Sequence, residues 1–333
     1  MNAIVVYGAS GHTGRFVVEE LLRQNLPVAV SGRNASALAA EWGDLDQRPA
    51  AVDDHRALDR ALQNAAAVIN CAGPFAVTAE PVIAAATRAR VPYVDVAAEL
   101  EANLASFAMR SETPVVPAMA FFGGLGDLLA TAALGDLPEA DASAADEVVV
   151  AYGLSSWHPT PGTRAAGKVS HDRRDGRRVR FTGGKLQYHQ DKPAQQEWTF
   201  PEPLGRRRVI AEFTMADVVT IPTHIAVPEV RTAMTVEAAG DLADANTPAP
   251  AAVDEHGRSD QTFVVDVRVR RGEAERRATA TGQDIYAISA PLAVGAVRRI
   301  LAGETQAAGV ASAGAMFDAV AFLKDLPVAF DLP

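Results

Sequence analysis

Cysteine is almost absent: Cys71 stands alone in 333 residues. A single thiol makes no disulfide within the chain. That excludes a disulfide-stapled scaffold and leads to the expectation of a reducing, cytoplasmic setting. Excess positive charge is absent too. Lys and Arg number 31 against 41 Asp and Glu, a formal net charge of -10. Sequence-independent nucleic-acid binding needs clustered cations against phosphates, so no nucleic-acid partner is expected. Unbroken apolar runs are lacking. The stretch from Ala65 to Ala89 is interrupted by Asn70, Gly73, Pro74, Glu80 and Pro81, so no membrane span is expected. The first residues show no basic stretch before a cleavable apolar one, and the expectation is no signal peptide. Paired metal ligands are also missing. His12, His55, His158, His171, His189, His224 and His256 are scattered, with no His-x-x-x-His and no Cys pair. No metal site is expected. No Gly-x-Ser-x-Gly elbow is present, which leaves serine hydrolysis unsupported.

What is present is alternation. Apolar runs predict strands at Asn2–Tyr7, Pro27–Ser31, Ala50–Val52, Ala66–Asn70, Pro92–Val96 and Pro114–Pro117. Helical patterns fall between them at Thr13–Gln24, Ala35–Trp42, Arg56–Gln63, Glu80–Arg88 (with Pro81 in its first turn) and Leu100–Met109. Such alternation implies right-handed crossovers and a parallel sheet. Gly123-Gly124-Leu125-Gly126 predicts a turn, and Asp127–Leu134 a helix. After Asp136 the texture changes. Glu147–Leu154, Arg177–Gln187, Arg207–Glu212, Arg231–Glu237, Thr262–Arg270 and Glu275–Gly282 look extended, the last two as a hairpin around Arg271-Gly272-Glu273. Pro291–Leu301 and Ala313–Lys324 return to helical periodicity. The fold class expected is α/β: a Rossmann doubly wound parallel sheet over residues 1–136. A second α+β domain on a mostly antiparallel sheet follows over residues 137–288, then C-terminal helices over residues 289–333 packing back on the first domain. The outward face of the second sheet is the expected surface for a homodimer.

The first crossover carries the chemistry. A strand leads into Gly8-Ala9-Ser10-Gly11-His12-Thr13-Gly14 and then a helix. One glycine ends the strand in a tight turn. One lets the backbone approach a pyrophosphate. One lets the helix sit close on the sheet. The anion then rests against free N–H groups and the positive end of the helix dipole. Gly8, Ser10, Gly11, His12, Thr13 and Gly14 are therefore expected to hold a dinucleotide. Its kind is decided after the second strand, where an acid selects the ribose 2′-OH and an Arg accommodates a 2′-phosphate. This chain reads Ser31-Gly32-Arg33-Asn34, with no carboxylate. Arg33 and Asn34 thus predict NADP(H), with NAD(H) as the alternative, and Asp53 joins the expected contacts. The loop Asn70-Cys71-Ala72-Gly73-Pro74-Phe75 follows the fourth strand, at the carboxyl end of the sheet where ligands bind. No neighbouring His or Lys activates Cys71, which is expected to be a structural thiol.

Candidates for proton transfer are Asp95 at a strand end, Asp127 at a helix start, and His158 and His224 beside prolines. Asp127 reads equally as a helix cap. Arg173, Arg174, Arg177, Arg178 and Arg180, with Arg206-Arg207-Arg208, form either solvated edges or a rim for an anionic ligand. Tyr188-x-x-x-Lys192 has the spacing of the short-chain dehydrogenase pair, but that pair needs a helical turn and this stretch is strand-like.

Taken together, Tyr7–Gly14, Gly32-Arg33-Asn34, Val68–Phe75 and Tyr93-Val94-Asp95-Val96-Ala97-Ala98-Glu99 resemble the saccharopine dehydrogenase-like oxidoreductase family. The resemblance covers residues 1–130 well and the rest loosely. It implies NAD(P)-dependent redox chemistry on an unidentified small or lipid-like substrate. It also implies that Cys71, Ala72, Gly73, Pro74 and Phe75 contact the cofactor. Ala98, where relatives usually have Gly, and Phe122–Asp127 depart from the family pattern, so the resemblance does not carry a substrate with it. Two alternatives stay open: a non-catalytic NADP(H)-binding sensor or partner protein, and an atypical short-chain-type reductase.

Overall fold

The computed structural model describes residues 2–135 and 144–333. Its first half runs β1 (Ile4–Tyr7), α1 (His12–Arg23), β2 (Val28–Gly32), α2 (Ala35–Trp42), β3 (Asp46–Pro49), α3 (His55–Leu62), β4 (Ala67–Asn70), α4 (Phe75–Ala89), β5 (Tyr93–Asp95), α5 (Leu100–Phe107), β6 (Val115–Val116) and α6 (Gly126–Leu134). The second half runs β7 (Glu147–Leu154), α7 (Pro161–Arg173), β8 (Arg178–Thr182), β9 (Lys185–His189), β10 (Gln195–Thr199), β11 (Arg206–Ala211), α8 (Asp217–Thr220), β12 (Glu229–Thr235), α9 (Val236–Ala243), β13 (Thr262–Arg271), β14 (Ala274–Gln283), α10 (Ser289–Ala302), α11 (Ala313–Met316), α12 (Ala319–Lys324) and β15 (Ala329–Asp331).

β1 to β6 form one parallel sheet in the order β3-β2-β1-β4-β5-β6. Its central strands are Val/Ile runs because both faces are covered. Ile4, Val6, Val30 and Ile69 face a core shared with Val17, Val18 and Leu21 of α1 and Val294 and Val297 of α10. Val5, Ala29 and Val68 face the opposite core, shared with Leu58 and Leu62 of α3 and Val82 and Ile83 of α4. The first core continues without a break into Val148, Val150, Val265 and Val267 of the second sheet. One apolar body therefore joins the two sheets and fixes the cleft between them.

The second sheet is mixed, in the order β10-β11-β12-β7-β13-β14-β15, with β8 pairing β12 and β9. All its pairs are antiparallel except β7 with β12. The architecture is thus α/β: a six-stranded parallel Rossmann-type sheet with a second, mixed-sheet region.

The structure corrects several local expectations. The third strand is the polar edge Asp46–Pro49 rather than Ala50–Val52. It pairs on one side only, and exposure removes the need for an apolar run. α4 starts at Phe75, which places Pro81 inside the helix rather than in its first turn. Arg177–Gln187 folds back at Gly183-Gly184 into the β8–β9 hairpin, and β12 yields at Val236 to α9. β10, α8 and β15 were not expected, and neither was α7. Ala313–Lys324 is two short helices broken at Phe317, whose backbone is extended. The expected domain boundary between residues 136 and 137 lies outside the described residues.

Candidate active site

A cavity of about 1430 Å³ lies between the two sheets, at the carboxyl ends of β1, β2, β4 and β5. It is lined by Gly8, Ser10, Gly11, His12, Thr13, Arg33, Asn34, Asp53 and the whole run Cys71 to Phe75. The dinucleotide residues expected from sequence thus converge on one wall. Gly14 is the exception: it is a buried residue of α1, packed on the Gly8 carbonyl.

The phosphate loop is built by the mechanics its glycines suggest. The N–H groups of Gly8 and Ala9 both donate to the Ser31 carbonyl, at 2.8 and 3.2 Å, and tie the turn to β2. Gly8 has φ +87°, and a Cβ there would lie 2.8 Å from the Ala72 nitrogen. A Cβ on Gly14 would overlap the Gly8 carbonyl. The loop, the helix start and the Asn70–Phe75 loop are therefore in backbone contact. α1 begins at Gly11 with no side-chain cap, so its first N–H groups are left for an anion. His12 packs edge-on against Phe16 and Tyr286, with ring centroids 5.3 and 5.1 Å away. Burial lowers its pKa, and its Nε2 is buried without a partner. These residues fit a dinucleotide: an uncapped helix start, a glycine cradle with no room for a Cβ, and an orphan ring nitrogen on the cavity wall.

A buried chain of hydrogen bonds sets the second loop. Tyr93 OH donates to Asp95 Oδ2 at 2.8 Å, Asn70 Nδ2 donates to Tyr93 OH at 3.1 Å, and the Ala72 N–H donates to Asn70 Oδ1 at 3.0 Å. Asp95 Oδ1 accepts the N–H groups of Ala97 and Ala118 at 3.0 and 2.8 Å. Asp95 is fully buried and off the cavity. Desolvation raises its pKa to about 6 against these stabilising hydrogen bonds. It holds the loop from beneath, off the cavity, which corrects its expected place among the proton-transfer candidates. Burial pushes the Cys71 thiol well above its usual range, consistent with a structural thiol on the wall.

The other proton-transfer candidates also lie away from the cavity. Asp127 is in the first turn of α6 rather than capping it, and its Oδ2 accepts the Gly314 N–H at 2.7 Å. His224 sits between Thr131 Oγ1 at 2.9 Å and Ser312 Oγ at 3.1 Å, 3.7 Å from Asp127. This pair ties α6 to the C-terminal segment. His158 contributes its backbone N–H to Gln261.

A buried acid that does line the cavity is Glu99, at the start of α5 and 5% exposed. Its Oε2 accepts the Phe75 N–H at 2.7 Å, while Oε1 is buried without a partner. Burial raises its pKa to about 7, opposed by the Phe75 bond and assisted by the Asp95 charge. A carboxyl tuned to neutral pH beside a ligand loop is suited to acid–base work. Sequence reasoning quoted Glu99 but did not select it. Its signal was an acid four residues past a strand-end Asp, where the chain turns into a helix.

The opposite wall is α7, which sequence reasoning missed. Thr160 caps it through the Thr163 N–H, and Pro161 takes its first turn. Tyr286 OH anchors this end. It meets Trp157 Nε1, the Thr160 N–H and Thr163 Oγ1 at 3.2, 3.2 and 3.0 Å. Of the arginine clusters, Arg174 and Arg178 line the cavity, whereas Arg206 to Arg208 lie exposed on β11. Tyr188 lies in strand β9, so no helical Tyr/Lys pair forms.

Among the described residues no group of His, Cys, Asp or Glu is placed to hold a metal ion. Within the same residues no helix is long and apolar enough to cross a membrane.

Comparison with known proteins places this geometry. Residues 4–117 match the saccharopine dehydrogenase NADP binding domain family. A lipid droplet localized protein of Caenorhabditis elegans is 35% identical over 111 residues, which are 29% of this chain and 26% of that protein. A probable mitochondrial saccharopine dehydrogenase-like oxidoreductase of Arabidopsis thaliana is 30% identical over 142 residues, 35% of this chain and 31% of that one. A saccharopine dehydrogenase-like oxidoreductase of Mus musculus is 32% identical over 117 residues, 29% and 27%. The matched stretches thus span a third or less of these relatives. Apo saccharopine dehydrogenase (L-Glu forming) from Saccharomyces cerevisiae superposes with a TM-score of 0.63 at 12% identity, covering 100% of both chains, and shows a shared fold. The resemblance to saccharopine dehydrogenase-like oxidoreductases read from the sequence is borne out.

Proposed function

We propose, from the premise that residues 4–117 carry a saccharopine dehydrogenase-type NADP-binding domain, that this chain is an NADP(H)-dependent oxidoreductase whose substrate enters the cleft between the two sheets. The observation that carries the reading is the convergence of the Gly8–Gly14 loop, Arg33, the Asn70–Phe75 loop and Glu99 on one cavity. The uncapped start of α1 would hold the pyrophosphate. Arg33, exposed after β2 with no acid on its own loop, would hold a 2′-phosphate. The run from Cys71 to Phe75 would line the other half of the dinucleotide. When bound, the dinucleotide supplies hydride chemistry, and the protein supplies orientation and a dry site. Glu99 holds a proton at the cavity wall near neutral pH, and its free Oε1 is the atom that would pass it on. The aromatic wall of Phe122 and Trp157 excludes water. A cytoplasmic setting and a homodimer through the outward face of the second sheet belong to the same proposal. The test is titration with NADPH and with NADH, for wild type and Arg33→Ala. A charge-assisted phosphate contact is worth roughly 1.5–3 kcal/mol, so NADPH should bind at least tenfold tighter than NADH and Arg33→Ala should abolish the difference. Equal affinity in the wild type refutes the NADP(H) preference, and no binding of either refutes the oxidoreductase reading.

A further inference from the structure

The cleft is larger than a pocket for one drug-sized ligand. Pockets for single drug-sized ligands run to roughly 300–1,000 Å³, and this one reaches about 1430 Å³. The charge on its walls is uneven. Among the described residues two carboxylates line the cavity, Asp53 and Glu99, both from the parallel-sheet side. Every charged lining residue beyond residue 120 is basic: Arg164, Lys168, Arg174 and Arg178, with titratable His171 among them. This arises in a chain with a formal net charge of -10, so it is a local segregation rather than a reflection of composition.

These cations sit away from the place where a 2′-phosphate would lie. Arg33, Asn34 and Asp53 belong to the β2–β3 side, while α7 crosses the β4–β5 side. Arg173 Nη2 donates to the Ala76 carbonyl at 2.9 Å, and Ser170 Oγ donates to Glu101 at 2.5 Å. Arg164 and Arg178 spend their hydrogen bonds on carbonyl oxygens, those of Leu242, Asp244 and Thr247 and of Ala211, Glu212 and Asp191. Those bonds fix the two guanidinium groups through neutral acceptors, whereas Lys168 Nζ is paired with Asp172 Oδ2 at 2.6 Å. Arg174 is held by Ser170 and the Arg177 carbonyl, with Glu101 at 3.4 Å. The wall also carries an apolar set: Phe122, Trp157, Phe213, Met215 and the half-exposed Val77.

We propose that the second ligand of this cleft is an amphipathic anion. Its apolar body would lie against Phe122, Trp157, Phe213 and Met215, and its single anionic headgroup would face Lys168, Arg174 and Arg178. The inference rests on the dinucleotide reading and adds the substrate class to it. A wall that carries an excess of cations favours an anion over a neutral analogue of the same shape, because only the anion adds a charge-assisted partner there.

The test compares decanoate with 1-decanol and decyltrimethylammonium by calorimetric titration of the full chain saturated with NADPH. Decyl sulfate distinguishes a general anion site from a carboxylate-specific one. Decanoate should bind at least tenfold tighter than decanol, and decyltrimethylammonium should bind more weakly than either. Lys168→Gln, at an exposed helix position that carries no packing, should shrink the decanoate preference several-fold. Arg178→Gln should shrink it further. Equal binding of decanoate and decanol overturns the inference, and so does a preference unmoved by Lys168→Gln and Arg178→Gln. NADPH titrated alone reads the other site separately. A protein that binds NADPH but shows no anion preference loses this inference and keeps the proposed function. A protein that binds no NADPH loses both.

Discussion

Replacing Gly8 with alanine adds one methyl group at the place where three backbone segments meet. Gly8 has φ +87°, where an L side chain crowds its own carbonyl, and that strain costs roughly 1–2 kcal/mol. The new Cβ would also stand 2.8 Å from the Ala72 nitrogen and 2.9 Å from Ala72 Cα and Cβ. Ordinary carbon contacts lie near roughly 3.5–4.0 Å. Relief therefore requires the phosphate loop and the Asn70–Phe75 loop to part by about half an ångström or more. Forcing extra carbon into packed structure costs about 1–3 kcal/mol in itself. The combined destabilisation is on the order of 2–5 kcal/mol. The larger effect should fall on binding, because the parted loops are the two that would grip the dinucleotide. Displacement of this size at a positioned site can cost on the order of 100-fold. The assay pairs a urea melt with an NADPH fluorescence titration, at a temperature where the variant remains folded. Weakened binding by at least tenfold, in a protein that still melts cooperatively, is expected. A Gly8→Ala protein that binds NADPH like wild type would refute the contact geometry of the cradle.

Three further outcomes follow from the buried polar groups. Tyr93→Phe removes the hydroxyl joining Asp95 to Asn70, so it should cost about 1–3 kcal/mol and weaken NADPH binding through the loosened Cys71–Phe75 loop. Unchanged melting and binding would show that the chain of bonds does not set the loop. Asp217, fully buried and accepting from Tyr152 OH at 2.8 and 2.9 Å, has its pKa raised to about 7 by burial. The folded state then holds a proton that the unfolded chain has released, so stability falls as pH rises from about 4 to 7 and levels off above. The fall is on the order of 4 kcal/mol, and Asp217→Asn should remove most of it in melts across that range. Glu99, raised to about 7 by burial, acts with the same sign. Glu99→Gln should flatten its part of the profile and leave NADPH affinity within a few-fold. A Glu99→Gln melt profile identical to wild type would place the Glu99 proton elsewhere.

The parallel sheet was legible because burial on both faces leaves little choice. Val and Ile runs mark β1, β2 and β4, and the expected Ala35–Trp42 helix is the one found. The phosphate loop was legible because Gly11 and Gly14 are demanded by contact with the Gly8 carbonyl, within a few residues. Elsewhere the chain escapes such rules. The edge strand β3 needs no apolar run, so Asp46-Gln47-Arg48-Pro49 carried no signal. α7 buries only Ser170 and contains Gly162 and Gly167, so no apolar stripe announced it. Its traces were local: Thr160-Pro161 at the start and the Lys168–Asp172 pair one turn apart. Asp95 was read from its place at a strand end, but its orientation is set by Tyr93, Ala97 and Ala118, and Ala118 lies across the sheet. Glu99 needed the same long-range information, because only the packing of α4 against α5 buries it. The mixed second sheet pairs β7 with β12 over some eighty residues, a parallel register that pattern alone does not announce.

The most direct test of the account is amide hydrogen exchange of the full chain with and without NADPH. The account predicts slowed exchange in three segments together: Gly8–Gly14, Cys71–Phe75 and the first turns of α7 from Pro161. Protection confined to some other surface, or no protection at saturating NADPH, would contradict the claim that the cleft between the two sheets is the dinucleotide and substrate site.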